Sequence, residues 1–328
     1  MGKKNYSLGI DVGGTKILAA VLDNDQNVIG RAKKKTRVED GVEAVLVRIA
    51  ETADEAMLAA GLAADQMRTV GICVPGPAEP DTGVIIEAPN LGWRNLNIIE
   101  FLNKTLKRPA YLSNDVTAGT WAEFSMGAGR GSKNCLGVFV GTGIGGGLVF
   151  NGELYEGSGR QAGEIGHICL NPHGPVCGCG RHGCLEAYAS RTAMTRNIRA
   201  AIDRGHDSAI LKEVDPRERQ IRSRQLKQAF SQGDKVVTDV VREAAYFLGI
   251  GLGSLANVLN PDCIVLGGGV VEAFGDPYVK AVNASFKRFA FQSVYDKVKL
   301  VQAALGDDAG VVGAALLARK RHALVTGD

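Results

Sequence analysis

Two stretches of the chain share one design, and together they restrict the fold more than any other feature. Residues 6–22, YSLGIDVGGTKILAAVL, run apolar, break at a glycine turn and run apolar again toward the turn signal Asn24-Asp25. Residues 135–155 repeat the plan as CLGVFV, then GTGIGGG, then LVFNGELY, with Asn151-Gly152 making the next hairpin turn. Each reads as strand, glycine turn, strand, a duplication of architecture rather than of sequence. Strands alternate with helical patterns over the rest of the chain, which argues for two α/β domains. A length of 328 residues suits two domains of roughly 150 each.

Gly141, Gly143 and Gly146 also fit a G-x-G-x-x-G frame. A dinucleotide-binding turn must run from a strand into a helix whose N-terminus holds the pyrophosphate. Here the continuation LVFNGELYEG is β-prone and broken by Asn-Gly, so a NAD site is excluded on context. A Walker A loop, G-x-x-x-x-G-K-[ST], does not occur. Two β-turn-β loops facing each other can still hold phosphates through consecutive backbone N–H groups, with no helix required.

Other elements place the remaining motifs. Residues 41–61 are Ala-rich and periodic and predict a helix. TVGICVPGPAEP predicts a buried strand running into a proline-glycine loop, and AYLSNDVTAGTWAEF a strand ending at Asn114-Asp115 and then a helix. Residues 204–232 read as a charged helical surface insertion. VVTDVVREAAYFLGIGLGSLANVLNP reads as a long helix ended by Pro261, DCIVLGGGV as a strand with a third glycine turn at Gly267–Gly269, and DDAGVVGAALLARK as a small-residue helix.

The bulk numbers exclude several classes. Hydrophobic residues at 45% and charged residues at 22% match a globular protein and argue against disorder. A net charge of +3, and a Lys33–Lys35 run without interleaved aromatics, give no nucleic-acid footprint. No apolar stretch approaches the roughly 20 residues that span a bilayer, and no apolar h-region follows Lys3 and Lys4. Tyr6 stands where N-myristoylation after Gly2 requires Ser or Thr. A cytoplasmic protein is expected, without membrane or nucleic-acid partners. Seven cysteines, an odd number, do not suggest a disulfide framework.

Three of those cysteines crowd into eight residues. GHICLNPHGPVCGCGRHGCLEAY contains His167, Cys177, Cys179 and Cys184, an H-x9-C-x-C-x4-C pattern. Cys3His is a ligand set of closed, tetrahedral structural zinc. Glycines at 178, 180 and 183 allow a tight loop around one ion. Spacing alone does not choose between His167 and His173, and His182 also lies nearby. Cys169 is a further candidate, although ICL reads as a buried strand in which cysteine acts as a small hydrophobe. Among the carboxylates, Asp115 follows a strand end, where catalytic groups collect in α/β folds. A lone Asp there is more often a helix N-cap. Glu164 and Glu186 flank the cysteine segment.

DVGGTK, PGP, PNLGW, ND, GTGIGGG, GEIGH and CGCGRHGCLE occur in the order and register of the ROK sugar kinases of the actin-like ATPase superfamily. The resemblance runs from about Gly9 to the terminal helix and is strongest toward bacterial ROK glucokinases. It implies two actin-like (ribonuclease H-like) α/β domains with a cleft between them. Residues 1–126 plus 307–328 would form the smaller domain, and 127–306 the larger one with the zinc segment. The implied activity is ATP-dependent phosphorylation of glucose at its 6-hydroxyl, with Mg2+ and Zn2+ as metals. Asp115 resembles the catalytic base. Asn90, Asn114, Glu164, His167 and Glu186 resemble sugar-hydroxyl partners, with His167 also the zinc-ligating histidine. Gly13, Gly14, Thr15 and Lys16 resemble a first phosphate loop, and Gly141, Thr142, Gly143, Gly145 and Gly146 a second. Asp11 resembles a magnesium partner through water, and Gly267, Gly268 and Gly269 stand where the family contacts adenosine. A homodimer or homotetramer is implied.

Alternatives from the same resemblance are a kinase for mannose, fructose, N-acetylglucosamine or N-acetylmannosamine, and polyphosphate as donor. A sugar-sensing repressor is expected to carry a helix-turn-helix ahead of the core, for which the residues before Asp11 leave no room.

Overall fold

The computed structural model describes residues 5–212, 214 and 220–327. The chain divides into two compact units: Met1–Met126 with Glu156–Ala162 and Asp307–Asp328, and Gly127–Tyr155 with Gly163–Gly306. Glu156–Ala162 thus departs from the continuous 127–306 domain expected. Ion pairs tie this segment to the first unit: Glu156 meets Arg321, and Arg160 meets both Glu156 and Asp81.

The first unit contains β1 (Tyr6–Val12), β2 (Lys16–Leu22), β3 (Val28–Lys35), α1 (Val42–Ala59), β4 (Met67–Val74), β5 (Ala78–Glu79), β6 (Val84–Ala88) and β7 (Trp93–Asn97). It continues through α2 (Ile98–Leu106), β8 (Ala110–Asn114) and α3 (Asp115–Ser125), and ends with the chain's C-terminal helix, Ala309–Thr326. Its main sheet has the order β3-β2-β1-β4-β8. β1, β2 and β3 are antiparallel neighbours, while β1, β4 and β8 run parallel. Strands buried on both faces need cover on both. On one face Leu8 and Ile10 join Ile49 and Ala53 of α1 in the core. On the other, the small residues of the C-terminal helix let its backbone lie directly on the sheet. Gly9 and Gly71 are register partners on β1 and β4, and a methyl on either would overlap the carbonyl of Val311 or Ala314. Arg319 then fastens that helix, donating to Ser7 Oγ at 2.6 Å and to the carbonyls of Asn5, Leu22 and Asp23.

The second unit contains β9 (Cys135–Val140), β10 (Ile144–Phe150), β11 (Glu153–Tyr155), α4 (Glu186–Ala189), α5 (Arg191–Asp203), α6 (Ser223–Ser231) and α7 (Lys235–Leu259). β12 (Cys263–Gly267), α8 (Gly269–Phe274), α9 (Asp276–Phe289), α10 (Gln292–Tyr295) and β13 (Lys299–Gln302) complete it. Its sheet, β11-β10-β9-β12-β13, repeats the first unit's order and its switch from antiparallel to parallel pairing. The duplication of architecture is therefore complete at the level of the whole sheet.

The third glycine turn leads from β12 into a helix, with Gly268 at φ 87° as the residue before α8. Two expectations change. The 204–232 segment is not wholly a surface piece: Ile210, Ile221, Leu226 and Ala229 are buried, and residues 213 and 215–219 of it lie outside the described residues. Cys169 is exposed, not part of a buried strand. Among the described residues no helix is long and apolar enough to cross a membrane.

The seating of the C-terminal helix gives a stability prediction. Gly71→Ala should lower stability by about 1–3 kcal/mol, the usual penalty of overpacking, read as a lower urea midpoint. An unchanged midpoint would mean that the helix backbone is not seated on β4.

Candidate active site

In the first unit, the carboxyl ends of three parallel strands bring together residues far apart in sequence. Asp11 on β1 is in register with Cys73 on β4, and Cys73 with Ser113 on β8, one residue before Asn114 and two before Asp115. Such strand ends are where an open α/β sheet presents its chemistry. Asn114, rather than Asp115, caps α3: its Oδ1 accepts from the N–H groups of Val116 and Thr117 at 2.9 and 3.2 Å. Its Nδ2 donates to the Gly76 carbonyl, so one amide hydrogen remains for a ligand. Asp115, half-buried, opens the helix, and its Oδ1 accepts from Val116 N–H.

The first glycine turn is Gly13–Thr15, closed by Gly13 N–H donating to the Lys16 carbonyl at 2.9 Å. Thr36 braces it from β3's end, through Oγ1 to the Gly13 carbonyl and through N–H to the Thr15 carbonyl. Asn90, exposed, lies beside Gly14, where an added methyl would come within 2.9 Å of the Asn90 carbonyl. Lys16 is a β2 residue whose ammonium pairs with Asp307 at 2.6 Å, so its charge is partly engaged away from the turn.

Asp11 is a strongly perturbed carboxyl of this unit. Burial first, and then the charge of Asp115, push its carboxyl up to about 7, while the Cys73 thiol donating to it and Lys16 pull the other way. Gly310, in the first turn of the C-terminal helix, presses on the same carboxylate: a methyl there would lie 2.9 Å from Oδ2.

In the second unit, the second turn is Gly141–Gly143. Gly145 and Gly146 are β10 residues in register with Phe139 and Val138, so their backbones belong to the sheet rather than the turn. The segment 186–192 grips this turn from both ends. Glu186 Oε2 accepts from Ile144 N–H at 2.9 Å and leaves no room for a side chain at Gly143. Arg191 donates from its backbone to the Gly141 carbonyl at 2.9 Å and from Nη2 to Thr142 Oγ1 at 2.6 Å. Thr192 Oγ1 donates to the Thr142 carbonyl. Nothing in the sequence singles out Arg191; only folding brings it to the glycines. The third turn lies alongside, since Gly268 approaches the backbone of Val140, the residue before the second turn.

The same unit holds the cysteine cluster. One donor atom from each of His167, Cys177, Cys179 and Cys184 lies within 4.8 Å of all the others. Cys179 and Cys184 sulfurs are 3.7 Å apart, as are Cys177 Sγ and His167 Nδ1. A tetrahedral ion with Zn–S near 2.3 Å and Zn–N near 2.0–2.1 Å has edges of roughly 3.5–3.8 Å, so the donors fit zinc. Burial pushes the Cys177 and Cys184 thiols up, so a divalent cation is what would hold this crowd as thiolates. His173 and His182 stand outside the cluster, with His182 Nδ1 on the Gly174 carbonyl. His167 aims Nδ1 at the cysteines and its Nε2 toward Glu164, 3.9 Å from Oε2. Glu186 Oε1 accepts from Cys177 Sγ, so one carboxylate touches both the cluster and the second turn.

Asp11 yields a pH prediction. A carboxyl raised above its unfolded value of 3.8 binds its proton more tightly when folded. The contribution of Asp11 to stability is therefore greatest below about pH 4, falls as pH rises toward about 7 and is flat above. Asp11→Asn should raise the thermal midpoint of the metal-free protein at pH 8, with the gain shrinking toward pH 4. A gain independent of pH would contradict the buried, charge-crowded carboxyl.

The family model described as "ROK family" matches residues 7–321. A glucokinase of Halalkalibacterium halodurans is 35% identical over 97% of this chain and 96% of its own length. A ROK family glucokinase from Streptomyces griseus, solved in complex with glucose and AMPPNP, is 32% identical, with a TM-score of 0.83 over 96% of this chain and 99% of that one. The xylose repressor of Caldicellulosiruptor bescii is 27% identical over 93% of this chain, which spans 76% of the repressor. The doubled sheet, the paired glycine turns and the cysteine cluster lie within a match that covers nearly the whole sequence, and the chain belongs to the ROK family.

Proposed function

We propose that this chain is an ATP-dependent sugar kinase that phosphorylates glucose at its 6-hydroxyl. Asp115 takes the proton of that hydroxyl; the oxygen forms a bond to the γ-phosphorus as the bond to the β–γ bridging oxygen breaks, leaving ADP and glucose 6-phosphate. The observation that carries this reading is the division of labour at the end of β8. The capping duty that an aspartate there commonly performs belongs to Asn114, so Asp115 is not needed for it. The glucokinase relatives support the same reading.

Phosphoryl transfer needs mainly positioning and charge stabilisation, because its transition state is loose. The Gly13–Thr15 and Gly141–Gly143 turns offer backbone N–H groups, and Gly267–Gly269 take the adenosine side. Asp11 would hold Mg2+ through water, and its near-neutral titration suits a group whose charge a cation must offset. Asn90, the remaining amide hydrogen of Asn114, Glu164, His167 Nε2 and Glu186 pair the sugar hydroxyls, each of which costs about 1–3 kcal/mol if buried unpaired. His167 Nδ1 and the three cysteines would hold zinc, which would fix the imidazole and leave Nε2, on the Glu164 side, for a sugar hydroxyl.

Two measurements test this. Asp115→Asn should lower kcat by about 10²–10⁴-fold while glucose affinity by calorimetry stays within a few-fold. Retention of most of the rate would remove Asp115 as base, and glucose binding without ADP formation by the wild type would make the chain a sugar sensor. A hexose panel in the same ADP-coupled assay tests the preference for glucose. Cys179→Ser should release one zinc per chain and weaken both thermal stability and glucose affinity. Elemental analysis finding well under one zinc in native protein would count against the clamp.

A further inference from the structure

The charge balance around the second glycine turn leaves one residue unaccounted for. The turn and its continuation, GTGIGGG, carry no basic side chain. Its one close charge on the Ile144 side is a carboxylate, Glu186, which already accepts one of the N–H groups there. A phosphate seated on this turn would meet that negative charge and so needs a cation nearby. Arg191 is the basic group in contact with the turn. It is held by Thr142 Oγ1 and by its own backbone on Gly141, and it opens α5, whose cap is Ser190. Among the described residues no carboxylate pairs with this guanidinium, and its Nε is buried without a hydrogen-bond partner. A half-buried guanidinium with an orphaned Nε–H, beside a glycine turn, calls for an anion; planar N–H pairs suit phosphoryl oxygens.

We infer that Arg191 binds a phosphoryl oxygen of the nucleotide, supplying the positive charge that the second glycine turn lacks. The inference rests on the kinase reading above and adds a named phosphate ligand to it. Segment 186–192 then acts as a two-ended clamp. Glu186 sets the Ile144 side of the turn, and Arg191 sets the Gly141–Thr142 side and meets the ligand.

The test compares ADP with adenosine, which lacks phosphate. Binding of each, in the presence of Mg2+, is measured by calorimetry or competition for wild type, Arg191→Met and Arg191→Lys. Arg191→Met should weaken ADP by about 10- to 100-fold, the effect of one charge-assisted hydrogen bond, and leave adenosine unchanged. Arg191→Lys, which keeps the charge without the planar fork, should recover part of the loss. Unchanged glucose affinity and thermal midpoint show that the variants fold. Undiminished ADP binding in Arg191→Met, or equal weakening of ADP and adenosine, would overturn the assignment; the latter would make Arg191 a support of the turn alone. Wild type binding neither ligand would sink the kinase reading itself, and the inference with it.

Discussion

The seating of the C-terminal helix on β1 and β4 is the contact on which the first unit depends. A helix backbone can rest on a sheet at this distance only where side chains vanish, and Gly9 and Gly71 clear a row for it. The helix itself contributes Gly313, where a methyl would overlap the Ala118 carbonyl of α3. Three glycines therefore lock sheet, terminal helix and α3 into one block. The same seating reaches the chemistry. The first turn of that helix places Gly310 against Asp11, and the single Cys73 thiol hydrogen lies within reach of both the Gly310 carbonyl and Asp11 Oδ1. The packing that stabilises the unit thereby shields Asp11 from water, and that burial is the leading cause of its raised titration.

In the second unit a comparable economy centres on Glu186. It lies two residues after Cys184, with one oxygen toward Cys177 and the other on Ile144 N–H. The Ile144 N–H fixes one of its oxygens, and the glycine at 143 is what lets it approach the turn. Displacing the cysteine loop therefore displaces a support of the turn, although Cys184 lies 41 residues beyond Gly143 in sequence. A tight four-donor cluster is an effective anchor for such a chain of contacts, because each ligand fixes one backbone segment.

Much of this was legible in the sequence, for identifiable reasons. β-branched runs broken by glycine specify hairpins locally, so both glycine turns and the cysteine loop announce themselves. Long-range geometry does not. Spacing could not choose between His167 and His173, because a loop rich in glycine can fold either one inward; the donor distances single out His167. An Asn-Asp pair at a strand end leaves open which residue caps the helix, since both side chains can do so, and backbone conformation decides for Asn114. Gly145 and Gly146 look like turn residues in a glycine run, yet pairing with β9 makes them strand. Arg191, one arginine among many, acquires meaning only from its contacts with Gly141 and Thr142.

The two units also show how a duplicated scaffold supports unequal chemistry. Both sheets switch from antiparallel to parallel pairing at the strand that ends in a glycine turn, so both present that turn at equivalent strand ends. In the first unit an acid, Asp11, sits on that strand itself, while the basic residue after the turn, Lys16, is drawn to Asp307. In the second unit the corresponding strand ends in Phe139-Val140 with no ionisable group, and its charges are brought in by a separate segment as the Glu186 and Arg191 contacts. A strand-borne acid is fixed by the sheet and can serve a cation with little reorganisation. A clamp carried on a neighbouring helix start can shift with the cysteine loop that precedes it. The first turn is thus braced by its strands and by Thr36 just past β3, whereas the second, also held between paired strands, is gripped in addition by residues 186–192.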